Sequence, residues 1–194
     1  PPPSRTCGAL GRDAAVVRNV HPFALPTAAR MELDCQTVED RAREYRDTAA
    51  LYAVERQHVD ILPEMFETGE FGWRDPEWVV QWYFRRHLGA YPDRARREAE
   101  AAYDENTYED VLTALTGALE AGTTADRLDH LTTLDGVDVP VASAFLQFGL
   151  PEQYVAVGER EWNVLHAAGE LDAPCPDPIN AHAYETYLDA AQGL

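Results

Sequence analysis

Apolar residues recur at helical spacing along the chain from Thr37 onward, with polar and charged residues between them. No stretch of useful length alternates apolar and polar positions as a half-buried strand does, and we find no internal repeat. The pattern therefore predicts an all-α fold that forms a single domain over residues 31–194.

Capping residues, prolines and glycines place the predicted helices. Thr37 predicts the start of a first helix, which Pro63 is expected to kink or end. Asp75 followed by Pro76 predicts the start of an aromatic-rich helix that ends at Gly89. The later helices are predicted to run from Asp93 to about Tyr103, from Thr107 through Leu119, from Thr124 through Leu131, over residues 141–148, through Trp162 to Gly169, and from Asn180 past Leu188.

Residues 1–30 differ from the rest of the chain. They contain four Arg, one acidic residue and five Pro, and they show no clear amphipathic period. The first methionine, Met31, follows them directly. We expect this segment to be either a disordered tail or upstream sequence read from a misassigned start, and we assign no function to it.

The charge balance is strongly acidic. Asp and Glu number 34 against 16 basic residues, every one of which is Arg, so the net charge is -18 and the chain has no Lys. We interpret this composition as halophilic and typical of haloarchaeal proteins, whose carboxylates keep them hydrated in concentrated salt. In such a protein the total charge does not exclude nucleic acid as a partner, so local charge has to be considered instead.

Several classes of function are not supported by the sequence. There is no apolar run of about 18 residues, which predicts no membrane span and favours a cytoplasmic protein. The three Cys are far apart, and the six His include no pair at metal-binding spacing, so we expect no disulfide framework, no metal and no cofactor. A phosphate-binding P-loop is excluded because it needs a lysine.

One segment carries a family resemblance. Residues 134–142 read LDGVDVPVA, and residues 157–160, after a helix of small and apolar residues, read VGER. Gly136 and Gly158 are 22 residues apart. The segment resembles the heart of the helix-hairpin-helix DNA glycosylases of the endonuclease III kind, whose hairpin reads roughly L-P-G-V-G-x-K-T-A and whose following segment ends in V-D-[ST]-H at the same spacing. The resemblance implies a helix-hairpin-helix glycosylase-like bundle with its hairpin at residues 131–150.

The resemblance also implies where the chemistry of this family would lie. A lysine of the hairpin can attack the sugar, and an aspartate after it supports departure of the base, but Pro140 and Gly158 stand at these two positions. Neither side chain can do that work. We therefore expect no lyase and no ordinary glycosylase activity, and name no established catalytic residue. Glu159 is the one nearby acid that could substitute, although we favour its interpretation as a first-turn acid of the next helix, stabilised by the helix dipole.

The hairpin is also the family's phosphate-binding element. Its backbone N–H groups at Gly136 and Val137 would meet a DNA phosphate. Asp138 replaces the second glycine and is expected to cap the following helix, although it could instead adopt a left-handed backbone. The carboxylates of Asp135 and Asp138 would flank the bound phosphate, so we expect weak binding there.

A separate cluster of arginines is the second candidate for DNA contact. Residues 84–97 hold five Arg and one Asp, and they lie beside aromatic residues. These arginines could equally complement a helix end or pair with the many carboxylates. They are Arg85, Arg86, Arg94, Arg96 and Arg97.

The resulting expectation is a divergent helix-hairpin-helix protein without glycosylase or lyase activity that binds DNA weakly. Two alternatives stay open: a non-catalytic protein-interaction module, and a monofunctional glycosylase that uses Glu159. The partner is accordingly DNA or another protein, and the sequence leaves the oligomeric state open.

Overall fold

The computed structural model describes residues 33–87, 89 and 91–194, and over these residues all regular secondary structure is helical. The all-α prediction is confirmed, and the predicted N-terminal extension at residues 1–30 lies outside the described residues. The nine helices of this part of the chain are α1 (Cys35–Thr48), α2 (Tyr52–Thr68), α3 (Arg74–Arg85), α4 (Asp93–Tyr103), α5 (Tyr108–Glu120), α6 (Thr124–Leu131), α7 (Val139–Gly149), α8 (Glu159–Ala168) and α9 (Ala181–Gln192).

Most of the predicted caps are present. Thr107 and Asp110 form the predicted capping box at the start of α5, and the side chains of Asp138 and Asn180 accept hydrogen bonds at the starts of α7 and α9. Gly169 ends α8 in the left-handed conformation, with φ of 83°. Local side-chain chemistry therefore sets these boundaries.

The predicted extent of the first helix is wrong. The first predicted helix is two helices, because the chain leaves the helical conformation between Thr48 and Tyr52, and the first of them is capped by Asp34, which accepts the backbone N–H of Thr37 at 2.7 Å. Pro63 then stands inside α2 without ending it. Leu62 and Phe66, on either side of this proline, are both fully buried, and their packing outweighs the hydrogen bond that a proline cannot donate.

The aromatic-rich helix is also shorter than predicted. α3 begins at Arg74, and the Asp75 carboxylate accepts the backbone N–H of Gly72 at 2.7 Å instead of capping from outside the helix. The helix ends at Arg85, before Gly89. Asp75 thus stabilises the turn that leads into α3.

The centre of the fold is α7. Eight of its residues are buried, among them Ala142, Ala144 and Phe148, and it packs against α2, α3 and α6. Small side chains let these neighbours approach closely, while the phenylalanine fills the space between α2 and α3. No described helix is long and apolar enough to cross a membrane.

The turn between α6 and α7 is fixed against the end of α4. Asn106 holds it with two hydrogen bonds, accepting the N–H of Asp135 at 2.9 Å and donating to its carbonyl at 3.0 Å. Gly136 has a φ of 76°, and a Cβ atom there would lie 2.5 Å from the backbone oxygen of Ala99 and 2.7 Å from the backbone nitrogen of Tyr103. This position therefore needs glycine for both its conformation and its contact with α4.

We predict that Gly136→Ala destabilises the protein by about 2–4 kcal/mol, since a left-handed alanine costs about 1–2 kcal/mol and the backbone clash adds to it. Gly89→Ala is the matched control: its φ is 88°, but a Cβ there meets no described atom within 4 Å, so we expect a loss of only about 1 kcal/mol. Chemical denaturation measures both changes, and equal losses would show that the contact with α4 is not tight.

Candidate functional site

The two segments that carry the family resemblance lie side by side. The link from α7 to α8 is tied to α7, because the N–H of Val157 donates to the Ser143 hydroxyl at 2.9 Å and the N–H of Ala156 donates to the side chain of Gln147 at 2.8 Å. The start of α7, the start of α8 and residues 175–179 of the link before α9 line one groove of about 360 Å³. Its lining includes Asp138, Pro140, Gly158, Glu159, Tyr83 and Asp177.

A side chain at Gly158 would meet the ends of two neighbouring side chains. A Cβ atom there would lie 2.6 Å from Oε2 of Glu161 and 2.8 Å from Nη2 of Arg86. Its φ of -159° is an extended conformation that any residue adopts, so the constraint is space and not backbone strain. The resemblance aligns Gly158 with an aspartate. In the structure, the side chains of Arg86 and Glu161 lie in the space that a side chain at Gly158 would enter.

Arg86 and Glu161 form an ion pair that joins α8 to the C-terminal end of α3. Nε and Nη2 of Arg86 donate to Oε1 of Glu161 at 3.3 and 3.2 Å, and His87 Nε2 lies 2.8 Å from the same oxygen. The guanidinium carbon lies 4.0 Å from the centre of the Tyr83 ring, and Nη1 donates to the Tyr83 carbonyl. The structure thus turns Arg86, whose side chain is 9% exposed, away from solvent and from any phosphate.

The electrostatics of this pair favour the charged form of Glu161. Burial alone would raise the pKa of its carboxyl, but the positive charge of Arg86 and the contact with His87 outweigh it, so the pKa lies below its ordinary value. Oε2 is buried and has no hydrogen-bond partner among the described residues. Oε1 of Glu161 therefore accepts all the contacts from Arg86 and His87, and Oε2 lies against Gly158.

The hairpin offers few backbone donors to a phosphate. The N–H of Asp135 is taken by Asn106, and that of Val137 donates to the Leu134 carbonyl at 3.2 Å. Asp138 accepts the N–H of Val141 at 3.0 Å as the cap of α7, and partial desolvation of its carboxyl raises its pKa. The helix start that would hold a phosphate is thus occupied by a carboxylate of the chain itself.

Two of the other arginines share one carboxylate of α4. Arg85, which follows Phe84 in α3, donates to both oxygens of Glu100 at 3.1 Å, and Arg96 donates to the same carboxylate at 2.9 Å. The side chain of Glu100 is mostly buried between them. These two guanidinium groups therefore help to fix α4 onto the end of α3.

Arg94 and Arg97 lie on the outer face of α4. Arg94 pairs with Glu98 at 2.7 Å, and Arg97 lies 3.5 Å from Asp93. The two arginine side chains are 91% and 70% exposed. Over the whole cluster, five arginines meet four carboxylates, which leaves an excess of a single positive charge.

Glu159 is exposed in the first turn of α8 and lines the groove opposite Asp138. An acid at this position is favoured by the helix dipole whether or not it has a chemical role. The described residues contain no group of three or more His, Cys, Asp or Glu side chains placed to hold a metal ion.

A second cavity, of about 450 Å³, lies between α2, α3 and α7 and was not predicted from the sequence. Glu55 is its most buried polar residue, and its carboxylate accepts hydrogen bonds from the Tyr45 hydroxyl at 2.6 Å and from Trp82 Nε1 at 2.7 Å. The spacing in the sequence could have indicated that Glu55 is buried, because it lies seven residues before Leu62 and eleven before Phe66, on the buried face of α2.

Comparisons of the chain with protein-family models, with curated proteins and with solved structures find no match.

We predict that Glu161→Gln lowers stability at neutral pH by about 2–3 kcal/mol, less than for a fully enclosed pair because Glu161 is about a quarter exposed. Because the folded-state pKa of Glu161 is lowered, its contribution is complete above the ordinary carboxyl value of about 4.3 and is lost as pH falls through the lowered pKa. The variant should therefore lose less stability than wild type on acidification. Glu159→Gln, two residues away, is the control and should change stability by under about 1 kcal/mol.

Proposed function

We propose that the chain is a non-catalytic protein of the helix-hairpin-helix glycosylase-like kind that has lost base-excision chemistry and contacts DNA weakly. The observation that carries this proposal is the crowding at Gly158, where a Cβ would lie 2.6 Å from the Glu161 carboxylate and 2.8 Å from the Arg86 guanidinium. A side chain at this position would require the ends of Glu161 and Arg86 to move from their present places. Gly158 and the Arg86–Glu161 pair are thus linked through the packing of α3 against α8.

The carboxylate beside Gly158, that of Glu161, is also unsuited to the reaction because its charge is compensated. Departure of a base leaves positive charge on the sugar, which a nearby carboxylate would stabilise. Here the glutamate is neutralised by the guanidinium of Arg86, which is itself positive. Pro140 supplies no amine on the other side of the groove, and the chain has no lysine that could replace it.

Contact with DNA is proposed for the outer face of α4 and not for the hairpin. The ion pairs of Arg94 and Arg97 are exposed, and such pairs contribute about 0–1 kcal/mol, so each arginine can exchange its carboxylate for a phosphate at small cost. Asp93 and Glu98 remain nearby and repel the phosphate backbone. The association should accordingly be weak and should fall steeply with salt.

An oligonucleotide panel tests the loss of chemistry. Wild-type protein should release no base from duplexes that carry oxidised, deaminated or alkylated bases, because Pro140 and Gly158 carry neither the amine nor the carboxylate of the family's chemistry. Release of any base, abolished by Glu159→Gln but retained by Glu152→Gln on the exposed turn after α7, would contradict the proposal and establish Glu159 as the acid of a monofunctional glycosylase.

A salt titration tests the contact with DNA. The slope of log K against log potassium chloride concentration should decrease by about 2 in the double variant Arg94→Gln with Arg97→Gln, since each removed phosphate contact lowers it by about 1. The matched control is Arg41→Gln with Arg43→Gln, which removes two similarly exposed and paired arginines from α1 and should leave the slope unchanged.

A specific observation favours a second candidate, a protein-interaction module. α1 is exposed along almost its whole length, and large apolar side chains are exposed on α1 and α2. They are Val38, Tyr45, Val54 and Ile61. Absence of DNA binding at every salt concentration would refute the DNA part of the first proposal and leave this surface as the better candidate.

A further inference from the structure

The carboxylate of Glu55 is the most buried charged group in the described part of the chain. The residue is 9% exposed and its partners are two neutral donors, Tyr45 and Trp82. No described arginine or histidine lies within 4 Å of it as an ion-pair partner. Buried charges in proteins are normally compensated by an opposite charge, and Glu55 has no direct ion-pair partner among these residues. The guanidinium carbon of Arg86 lies at the same cavity, 5.4 Å from the centre of the Trp82 ring.

The cavity beside Glu55 is lined largely by aromatic rings. Tyr45 and Tyr52 meet edge to face with their ring centres 6.1 Å apart, and Trp82 packs perpendicular to Phe148 at 4.8 Å. These rings and the carboxylate line the same cavity of about 450 Å³, which lies within the range of small-molecule sites. Aromatic rings beside a carboxylate are the surroundings in which organic cations bind.

Besides Glu55, the charged side chains and the histidine that line the cavity are Glu161, Arg56, Arg86 and His87. Arg86 and His87 both contact Glu161, and Arg56 at the rim pairs with Asp60 at 2.9 Å. Glu55 is therefore the carboxylate of the lining that has no ion-pair partner among the described residues, and it is the group that a cationic ligand would meet.

We propose that this cavity binds a small alkylated ammonium ion, with its charge facing Glu55 and its alkyl groups against Tyr45, Tyr52 and Trp82. The hydrogen bonds from Tyr45 and Trp82 hold the carboxylate in one orientation before the ligand arrives, which lowers the entropic cost of binding. Because Tyr45 belongs to α1, the ligand would also tie that exposed helix to the body of the protein.

The experiment compares choline with 3,3-dimethylbutan-1-ol, its neutral isostere, at a fixed concentration of potassium chloride. Calorimetry gives the affinity, and the amide and indole N–H resonances of Trp82 report the location. Choline should bind at least about tenfold more tightly than the isostere, because only the cation gains from the carboxylate and the rings. Equal affinity of the two compounds, or no binding of choline, would overturn the proposal.

Two variants assign the binding to Glu55. Glu55→Gln should weaken choline binding by at least about tenfold, whereas Glu64→Gln, which removes the same charge from an exposed position of α2, should not change it. Circular dichroism checks that both variants fold. Should Glu55→Gln fail to fold, Tyr52→Leu keeps the carboxylate and removes one ring; it should weaken choline more than the isostere, and unchanged choline affinity in this variant would overturn the proposal.

Discussion

The ion pair between Arg86 and Glu161 determines what the rest of the groove can be. It joins the end of α3 to the start of α8, and its guanidinium group is held in place by the face of the Tyr83 ring. Because the pair occupies the space beside residue 158, a side chain there would require the ends of Arg86 and Glu161 to move. The groove therefore has a glycine at this position, next to a carboxylate whose charge is compensated by Arg86, and the proposed loss of chemistry rests on this packing.

Local compensation of charge is the second constraint, and it differs between the arginines around α4 and the carboxylate of Glu55. Around α4 each arginine of the cluster lies beside a carboxylate, so a run that is strongly positive in sequence is nearly neutral in space. Glu55 is the reverse case, because two neutral donors satisfy its hydrogen bonds but leave its charge uncompensated. The first arrangement argues for weak contact with phosphate, and the second for a cationic ligand.

The parts of the fold that depend on neighbouring residues could be predicted from the sequence. The capping box of α5 and the Asp138 cap follow from side chains that reach backbone N–H groups within three residues. Pro63 was expected to kink or end the first helix; it does not end α2, because burial of Leu62 and Phe66, a tertiary effect, keeps the helix intact. The site was harder still, because Glu161 lies 75 residues from Arg86 and Glu55 lies 27 from Trp82, and no local pattern joins residues so far apart.

A double-mutant cycle between Gly158→Ala and Glu161→Ala tests the central claim most directly, with stability measured by chemical denaturation. If the glutamate occupies the space beside residue 158, Gly158→Ala should cost about 1–3 kcal/mol in the wild-type background and little in the Glu161→Ala background, a coupling of at least about 1 kcal/mol. Equal costs in both backgrounds would show that the ion pair does not restrict the side chain at residue 158.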